Sequence, residues 1–392
     1  MKLRKDIWET IVIGKVSLIT SGYAFKSFQF KDTGIPVIKI KDIKPPIATT
    51  SNSDCIDEID FDSKKLAKYI LKKGDVLIAM TGATIGKVGK YANDEIALLN
   101  QRVAKIEEVE NISDKEFLFH SISTDKFVKY SLGRGASTAQ QNISTEVLGQ
   151  FEILLPPLSE QKQIASLFQS IETAMEQVDG QEKNLHQLKH KLLKDLFSEK
   201  QEFGNHLKAK DFETVKFEKI AINISERVEP KKTELTTYVG LEHLDAENLK
   251  IERTGTPHDV IGTKLKIYKG DIIFGKRRAY LRKVAVSHFD GIASAHSMIL
   301  RANEKNIEKD FLPYFMQSDT FMNRAVQISE GSLSPTIKNK TLAVQEFILP
   351  KKEKQKELIS IFKQFDTTME QLKQQKTTLK NLKHKLLNEI LG

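Results

Sequence analysis

The chain of 392 residues has one cysteine, one tryptophan and no apolar run long enough to cross a bilayer. With a single thiol at Cys55, disulfides cannot hold the fold, and a reducing cytoplasm is the expected location. The opening MKLRKDIWET carries acidic residues, which is untypical of a secretory signal peptide. The nine histidines and the cysteine show no zinc-ligand spacing. These absences exclude a disulfide-rich secreted scaffold and predict a protein without a membrane segment or a metal site.

Catalytic motifs are also missing. The stretch TGATIGKVG has the look of a phosphate-binding loop, but the first glycine of that motif would fall on Thr81, and valine follows Lys87. KPPI and LPPL lack the Asn or Asp before Pro-Pro and the aromatic after it that an amino-methyltransferase would need. No proline is followed by aspartate, so the sequence lacks the Pro-Asp step with which the usual nuclease carboxylate motif begins. Serine–histidine catalysis is left open, but nothing in the sequence favours it.

The composition is that of a globular protein, with 40% apolar and 29% charged residues. Its length predicts two or three domains with enough chain to bury a sizeable core. The net charge of +9 is compatible with a polyanionic partner such as nucleic acid, although an ordinary solvated surface can carry the same charge.

The chain contains an internal repeat. Shifted by 194 residues, segment 152–197 aligns without a gap on 346–391 with 19 identities in 46 pairs, including a second LKHKLL. At nearby offsets, WETIVIGKVSLITS faces FETVKFEKIAINIS, and KGDVLIAM faces KGDIIFGK. The predicted order is domain, helix, domain, helix, with the domains at 1–155 and 201–350 and the helices at 156–200 and 351–392.

The two domains are predicted to be α/β or α+β. Short apolar runs such as VLIAM and IIFG, each preceded by Lys-Gly-Asp, are typical of buried strands entered through a turn. Helical spacing of apolar residues in 113–132 and 308–326 predicts at least one helix in each domain.

The sequences of 156–200 and 351–392 both predict a long helix with a narrow apolar stripe. Ser159 is the expected N-cap of the first helix. Such a helix needs a long partner, so we expect the two copies to pair antiparallel as a coiled coil, with a pseudo-twofold axis between the domains. The alternative is that each helix packs on its own domain. The residues predicted to form the helix–helix seam are Ile164, Phe168, Ile171, Met175, Val178, Leu185, Leu188, Leu192, Leu358, Phe362, Phe365, Met369, Leu372, Leu379, Leu382 and Leu386. Lysines such as Lys189, Lys191, Lys383 and Lys385 are expected to be solvated.

Two similar domains on a rigid rod would form a bivalent reader whose separation is set by the rod. LLPPLSEQKQIASLF before a long Leu/Lys helix, repeated as ILPKKEKQKELISIF, resembles the specificity subunit of type I restriction–modification systems. GDVLIAMTGATIGKVG, LLNQRVAKI, QNISTEVL and GDIIFGKRRAYLRKVAV resemble the target-recognition domains of that family.

The resemblance implies a non-catalytic subunit that binds double-stranded DNA at a bipartite, asymmetric target. It also implies two methyltransferase subunits and restriction subunits as partners. S-adenosylmethionine and ATP with Mg²⁺ would be used by those partners, so no cofactor is expected in this chain.

Unmatched polar positions inside the matched frame are the candidates for DNA readout. They fall in 80–86 and 276–282, between strands, and in 133–142 and 329–338, ahead of the long helices. Arginine can pair with guanine or phosphate, and Asn or Gln with adenine. The candidate residues are Thr81, Thr84, Lys87, Arg134, Gln140, Gln141, Asn142, Lys276, Arg277, Arg278, Tyr280, Arg282, Lys283 and Lys338.

Each candidate also has an ordinary interpretation. The basic cluster could be a solvated turn, and 133–142 a plain polar connector. Asn100 and His296, which coincide in the repeat, are as compatible with packing as with DNA contact. The rival hypothesis for the whole chain is a coiled-coil scaffold whose end domains bind proteins. A methylase–specificity fusion is disfavoured by the missing catalytic motif.

Overall fold

A computed structural model describes residues 3–51, 53–57, 63–135, 142–204 and 206–392. The chain divides into two compact units. The first unit comprises residues 1–179 together with 374–392, and the second comprises 180–373. Each unit therefore contains one globular domain and a portion of both long helices.

Three sheets make up the first globular domain in its described residues. The outer strands Glu9–Val12 and Glu152–Leu155 pair antiparallel and bring the two ends of the domain together. In spatial order, the second sheet consists of Ser17–Ser21, Val103–Glu108, Val76–Ala79, Val88–Tyr91, Ile47–Ala48 and Ile43–Lys44. The third consists of Phe30–Lys31, Asp54–Ile56, Ile35–Ile38, Ala97–Leu99 and Ile70–Leu71.

The second domain repeats this plan. Phe212–Lys216 pairs with Glu346–Pro350. The second sheet consists of Ala221–Ile224, Met298–Ala302, Ile272–Phe274 and Val284–Val286, in the same order as the first four strands of its counterpart. The third consists of Arg227–Val228, Lys264–Ile267, Gly291–Ala293 and Tyr238–Val239. The predicted α/β repeat is confirmed by this shared strand order.

Short helices cover the sheets of both domains. Each segment predicted to hold at least one helix contains two, because a Ser or Thr with Asp interrupts the apolar spacing. The first domain has Ser63–Leu66, Lys115–Ser121, Asp125–Gly135 and Thr145–Gly149, and the second has Phe217–Ile220, Phe311–Gln317, Asp319–Gln327 and Asn339–Ala343.

The predicted Lys-Gly-Asp turns form in both domains. Gly74 and Gly270 have φ of 87° and 94°, a region that favours glycine. The amide of Gly74 donates to Tyr91 O at 2.8 Å, and that of Gly270 donates to Ser287 O at 2.7 Å. Each turn thus delivers the chain into a fully buried strand.

The two long helices, Leu158–Leu196 and Lys352–Ile390, are each 39 residues long and begin and end at positions 194 apart. At ~1.5 Å per residue each is roughly 58 Å long. The first begins one residue before the predicted N-cap, so Ser159 lies inside its first turn. Among the described residues, no helix is both long and apolar enough to span a membrane.

A buried glutamine fastens the start of each long helix to its own domain. Gln161 Nε2 donates to Pro156 O at 2.9 Å, and its Oε1 accepts from the Asp114 amide at 2.9 Å. Gln355 makes the equivalent contacts with Pro350 O and the Glu308 amide. The alternative prediction, that each helix packs on its own domain, therefore holds for the beginning of each helix.

Within the first unit, the two long helices run antiparallel. Lys383 Nζ lies 2.7 Å from Glu172 Oε1, and Lys376 pairs with Asp179, so seven residues forward along one helix correspond to seven residues back along the other. One apolar cluster joins the start of the first long helix to the end of the second. Its members on these helices include Ile164, Phe168, Ile171, Leu387 and Ile390, and Leu391, which directly follows the second helix, also belongs to it.

The second unit repeats this helix contact. Lys189 Nζ lies 2.5 Å from Asp366 Oδ1, and the Tyr314 hydroxyl donates to Asp366 Oδ2 at 2.6 Å. Asp366 is the repeat equivalent of Glu172, and Lys383 is the repeat equivalent of Lys189, each at a shift of 194 residues. The apolar cluster here includes Leu193, Leu196, Phe197, Leu358, Ile359 and Phe362.

The predicted seam is wrong at Leu188 and Leu382, which are 48% and 43% exposed. Lys189 and Lys383, expected to be solvated, point inward instead, with side chains 7% and 16% exposed. A lysine can take this place because its aliphatic stem packs while its ammonium group finds a carboxylate. Of the other predicted seam residues, Ile164, Phe168, Ile171, Val178, Leu358, Phe362 and Leu372 are buried, and Met175, Leu185, Leu192, Phe365, Met369, Leu379 and Leu386 are half-buried.

We expect Lys189→Met to lower the free energy of unfolding by about 2 kcal/mol, because Asp366 would lose its cation in a partly desolvated site. Lys191→Met is the matched control, since Lys191 lies two residues away on the same helix and is exposed. It should change stability by less than about 0.5 kcal/mol. Urea unfolding followed by circular dichroism measures both variants. Equal effects of the two substitutions would show that the buried ion pair does not contribute to the free energy of unfolding.

His120 occupies the position in the first unit that Tyr314 holds in the second. It is fully buried, and neither ring nitrogen has a hydrogen-bond partner among the described residues. Burial lowers its pKa from 6.5 to about 3; Glu172 opposes this effect, and Lys383 and Lys90 add to it. The folded protein therefore keeps this imidazole neutral.

His120 should make the protein acid-sensitive. The unfolded chain takes up a proton near pH 6.5 and the folded chain near pH 3, so stability is full above pH 6.5 and is lost as the pH falls between these values. Between pH 7 and pH 5 the expected loss is about 2 kcal/mol. His120→Tyr should remove it, since a tyrosine hydroxyl can donate to Glu172 as Tyr314 does to Asp366. Identical pH profiles of urea unfolding for both proteins would refute this explanation.

Candidate nucleic-acid interface

In the second unit, the two candidate segments 276–282 and 329–338 come together. Arg277 and Thr336 form an antiparallel bridge. The Ile337 amide donates to Lys276 O at 3.0 Å, and the Arg278 amide donates to Pro335 O at 2.8 Å. Two stretches about fifty residues apart in the chain therefore build one surface at the end of the strand Ile272–Phe274.

The first unit brings its own candidate segments together at the equivalent place. Thr81 and Asn142 form an antiparallel bridge, and the Ile143 amide donates to Met80 O at 3.0 Å. In the repeat, Thr81 corresponds to Arg277 and Asn142 to Thr336. The two domains thus present different side chains on the same backbone arrangement.

The surface in the second unit is cationic. Arg278 is exposed, and its Nη2 donates to Ser334 Oγ at 3.3 Å. Burial, with the nearby charge of Arg227, lowers the pKa of Lys276. Among the residues that the structure describes, no carboxylate lies within ion-pair distance of Lys276, Arg277 or Arg278. This uncompensated positive charge is suited to a polyanion.

The turn between the strands Ile272–Phe274 and Val284–Val286 has an unusual backbone. Arg278 and Arg282 have φ of 57° and 54°, a left-handed region that non-glycine residues rarely adopt. They flank the short 3₁₀ turn Ala279–Leu281, in which Ala279 is buried while Tyr280 is 53% exposed. Strain of this kind persists where the surrounding structure holds it and is common at binding sites. In this turn the ring of Tyr280, one of the candidate DNA-binding residues, is accessible for stacking.

Three of the predicted DNA-binding side chains make contacts inside the second unit. Arg282 Nη1 lies 3.0 Å from Asp319 Oδ1, and its Nε lies 3.3 Å from Glu247 Oε1. Lys283 Nζ donates to Leu241 O at 2.6 Å. Lys338 Nζ lies 2.5 Å from the exposed Glu330 carboxylate. These contacts favour a supporting role for Arg282 and Lys283, and Lys338 is partly neutralised.

The surface in the first unit is hydroxyl- and amide-bearing. The buried Thr81 hydroxyl has no hydrogen-bond partner among the described residues, and Thr84 Oγ1 donates to Thr81 O at 2.9 Å. Lys87 and Asn142 are exposed. Gln140 and Gln141 lie outside the described residues, so their predicted role is not tested by the structure.

Arg134 lies on the helix Asp125–Gly135, with its guanidinium 5.7 Å from the centre of the Tyr130 ring. It lines a cavity of about 540 Å³ together with Lys126 and Phe151. This position is compatible with phosphate binding, which stays a prediction.

Sequence reasoning did not separate the roles of Asn100 and His296. Asn100 is buried, and its Oδ1 accepts from the Arg102 amide at 3.3 Å, which favours packing. His296 is exposed and contacts Arg277. Ser334 was not singled out, because only the pairing of the two loops shows that it meets both arginines. In the described residues, no cluster of His, Cys, Asp or Glu could hold a metal ion.

Comparison with known proteins identifies the family. The model of the type I restriction modification DNA specificity domain matches residues 5–187 and 211–381, and the chain belongs to this family. The two matched segments correspond to the two halves of the repeat.

Relatives and solved structures are consistent with this family. The Escherichia coli EcoBI specificity subunit is 32% identical over 188 residues, which cover 47% of this chain and 35% of the relative. The MjaVIII subunit of Methanocaldococcus jannaschii is 30% identical over 49% of this chain and 46% of its own length, so the chain spans only a third to a half of these relatives. The putative MjaX subunit from the same organism is 24% identical over 98% of this chain and 92% of its length. The S subunit of M. genitalium has a similar fold, with a TM-score of 0.56 at 16% identity over 100% of this chain and 98% of that one.

We expect Arg282→Met to lower the free energy of unfolding by about 1–3 kcal/mol, because Glu247 and Asp319 would lose their shared cation. Arg278→Met makes the same chemical change four residues away, at an exposed side chain with the same left-handed backbone, and should shift stability by less than about 0.5 kcal/mol. Thermal unfolding of both variants measures the difference. An unchanged melting temperature for Arg282→Met would return that residue to the list of DNA-contact candidates.

Proposed function

We propose that this chain is the non-catalytic DNA-recognition subunit of a type I restriction–modification complex. It reads a bipartite, asymmetric sequence in double-stranded DNA, with one half-site for each globular domain. The spacing between the half-sites is set by the long helices. The family assignment supports the DNA-binding class, and the pairing of loops in each unit supports the position of the reading surface.

The observation that carries this proposal is the equivalence of the two surfaces. Thr81 bridged to Asn142 and Arg277 bridged to Thr336 occupy matching places in matching sheets. Amide and hydroxyl groups can accept as well as donate, whereas guanidinium groups only donate. Two surfaces of different hydrogen-bonding chemistry on one chain are suited to two different half-sites.

The partners proposed for the chain are two methyltransferase subunits and restriction subunits. The duplicated long helix offers the same outward face twice, which suits two copies of one partner. Exposed Lys191 and Lys385 lie on these faces at equivalent positions. The partner subunits would use S-adenosylmethionine and ATP with Mg²⁺. A solved structure of similar fold (TM-score 0.59, 16% identity) comes from work on complex assembly of a type I system.

The proposal is tested by selecting duplexes from a random library with the chain bound to its methyltransferase partner. We expect enrichment of a motif in two parts separated by unspecified bases. Methylome sequencing of the host with and without this chain should show adenine methylation at the same motif. If no two-part motif is enriched, the chain is better explained as a protein-binding coiled-coil scaffold.

Reciprocal variants assign the half-sites. The double variant Arg277→Ala/Arg278→Ala should relax base preference in one half of the motif and leave the other half unchanged. Asn142→Ala should do the reverse, because Asn142 is exposed on the equivalent surface of the first unit. Sequencing of the duplexes selected by each variant measures both effects. Loss of preference in both halves with either variant would contradict one half-site per domain.

A further inference from the structure

The guanidinium of Arg277 is held by two neutral side chains. Its Nη1 lies 3.2 Å from His296 Nε2, and its Nη2 donates to Ser334 Oγ at 3.1 Å. Its backbone is fixed as well, by the bridge to Thr336. Strand end, loop and side chain are therefore all constrained, so little side-chain entropy remains to be lost when a ligand binds.

The contact with His296 defines the state of the imidazole. Arginine can only donate hydrogen bonds, so Nε2 must be the acceptor and Nδ1 carries the proton. Partial desolvation of the ring, and then the charges of Arg277, Lys276 and Lys264, lower the pKa of His296. The neutral ring therefore orients Arg277 without compensating its charge.

The guanidinium retains donors for a ligand. The contacts with His296 and Ser334 leave Nε–H and a further hydrogen on each Nη without a partner in the described part of the chain. Arg282 has the opposite environment, because it is paired with two carboxylates. Arg277 is therefore placed for recognition, whereas Arg282 is placed for stability.

We propose that Arg277 reads a guanine in the half-site of the second unit, donating to O6 and N7, and that His296 and Ser334 are its positioning residues. This inference rests on the proposed function. Guanine presents two adjacent acceptors in the major groove, which match the two parallel donors of a guanidinium. Adenine presents an acceptor beside a donor, and thymine presents one acceptor beside a methyl group, so neither fits.

The neighbouring Arg278 is better suited to a phosphate. Its side chain is exposed, and within the described residues its one hydrogen bond is the 3.3 Å contact with Ser334 Oγ. A loosely held arginine gives charge without base discrimination. In the first unit, Thr81 stands in place of Arg277, so the guanine contact belongs to one half-site only.

The test replaces each guanine of the selected motif in turn with 7-deazaguanine, which lacks the N7 acceptor and keeps the Watson–Crick pair. Binding is measured with the complex of the chain and its methyltransferase partner. At one guanine of one half-site, the affinity of the unmodified chain should fall about tenfold. Arg277→Ala should bind the natural duplex about tenfold more weakly and should lose nothing further at the modified base.

Variants at two positions provide the controls. Arg278→Ala should weaken binding to natural and modified duplexes alike and keep the full sensitivity to 7-deazaguanine. His296→Ala should broaden base preference at the same position, and His296→Gln, which keeps a neutral acceptor, should restore it. A purely structural role for His296 would lower stability without this selective, rescuable change in base preference.

Other outcomes would overturn the inference. If the half-site contains no guanine, or if every 7-deazaguanine duplex binds as well as the natural one, Arg277 does not read N7. If Arg277→Ala loses the same factor on all duplexes, the residue contacts phosphate. In these cases the two-part motif is still selected and the proposed function stands; absence of any motif would refute both.

Discussion

The lysine–carboxylate contacts between the long helices are the constraint on which both units depend. Lys189 with Asp366, and Lys383 with Glu172, are repeat-related pairs in which a lysine is removed from water and needs a carboxylate at one position. Leucine seams tolerate sliding and rotation, but a desolvated charge does not. Because the end of each helix also completes an apolar cluster, at Ile390 in one unit and Leu196 in the other, the ion pairs align core packing with helix register.

On this duplicated framework, the loops differ in chemistry. The strand order, the Gly74 and Gly270 turns and the buried glutamines are common to both units. The side chains at the bridged loops are not, since Thr81 stands where Arg277 stands in the other unit. The framework is conserved between the halves because packing and hydrogen bonding require it. The loop surface is free to diverge, which is the property that the proposed two-part readout needs.

The surroundings of individual residues were harder to predict than the architecture. Short apolar runs and the offset of 194 were enough for strands, helices and their order, since these depend on local periodicity. The apolar stripe of the first long helix was predicted wrongly at Leu188, because an apolar pattern places leucine rather than lysine in a helix–helix seam. Only the second helix shows that Asp366 lies opposite Lys189. Likewise, Arg282 and Arg277 look alike in KRRAYLR, but one faces carboxylates and the other faces His296.

The sequence by itself determined the duplication, the two long helices and the α/β class of the domains, and it named the segments that are candidates for readout. Those features follow from apolar periodicity, glycine turns and the internal sequence repeat, all of which can be read directly along the chain. Only the tertiary structure decided which lysines are buried, that segments 276–282 and 329–338 form one surface, and which arginine is paired with carboxylates. These depend on contacts between residues far apart in the chain, and the physical reason is that burial and charge compensation are set by neighbours in space.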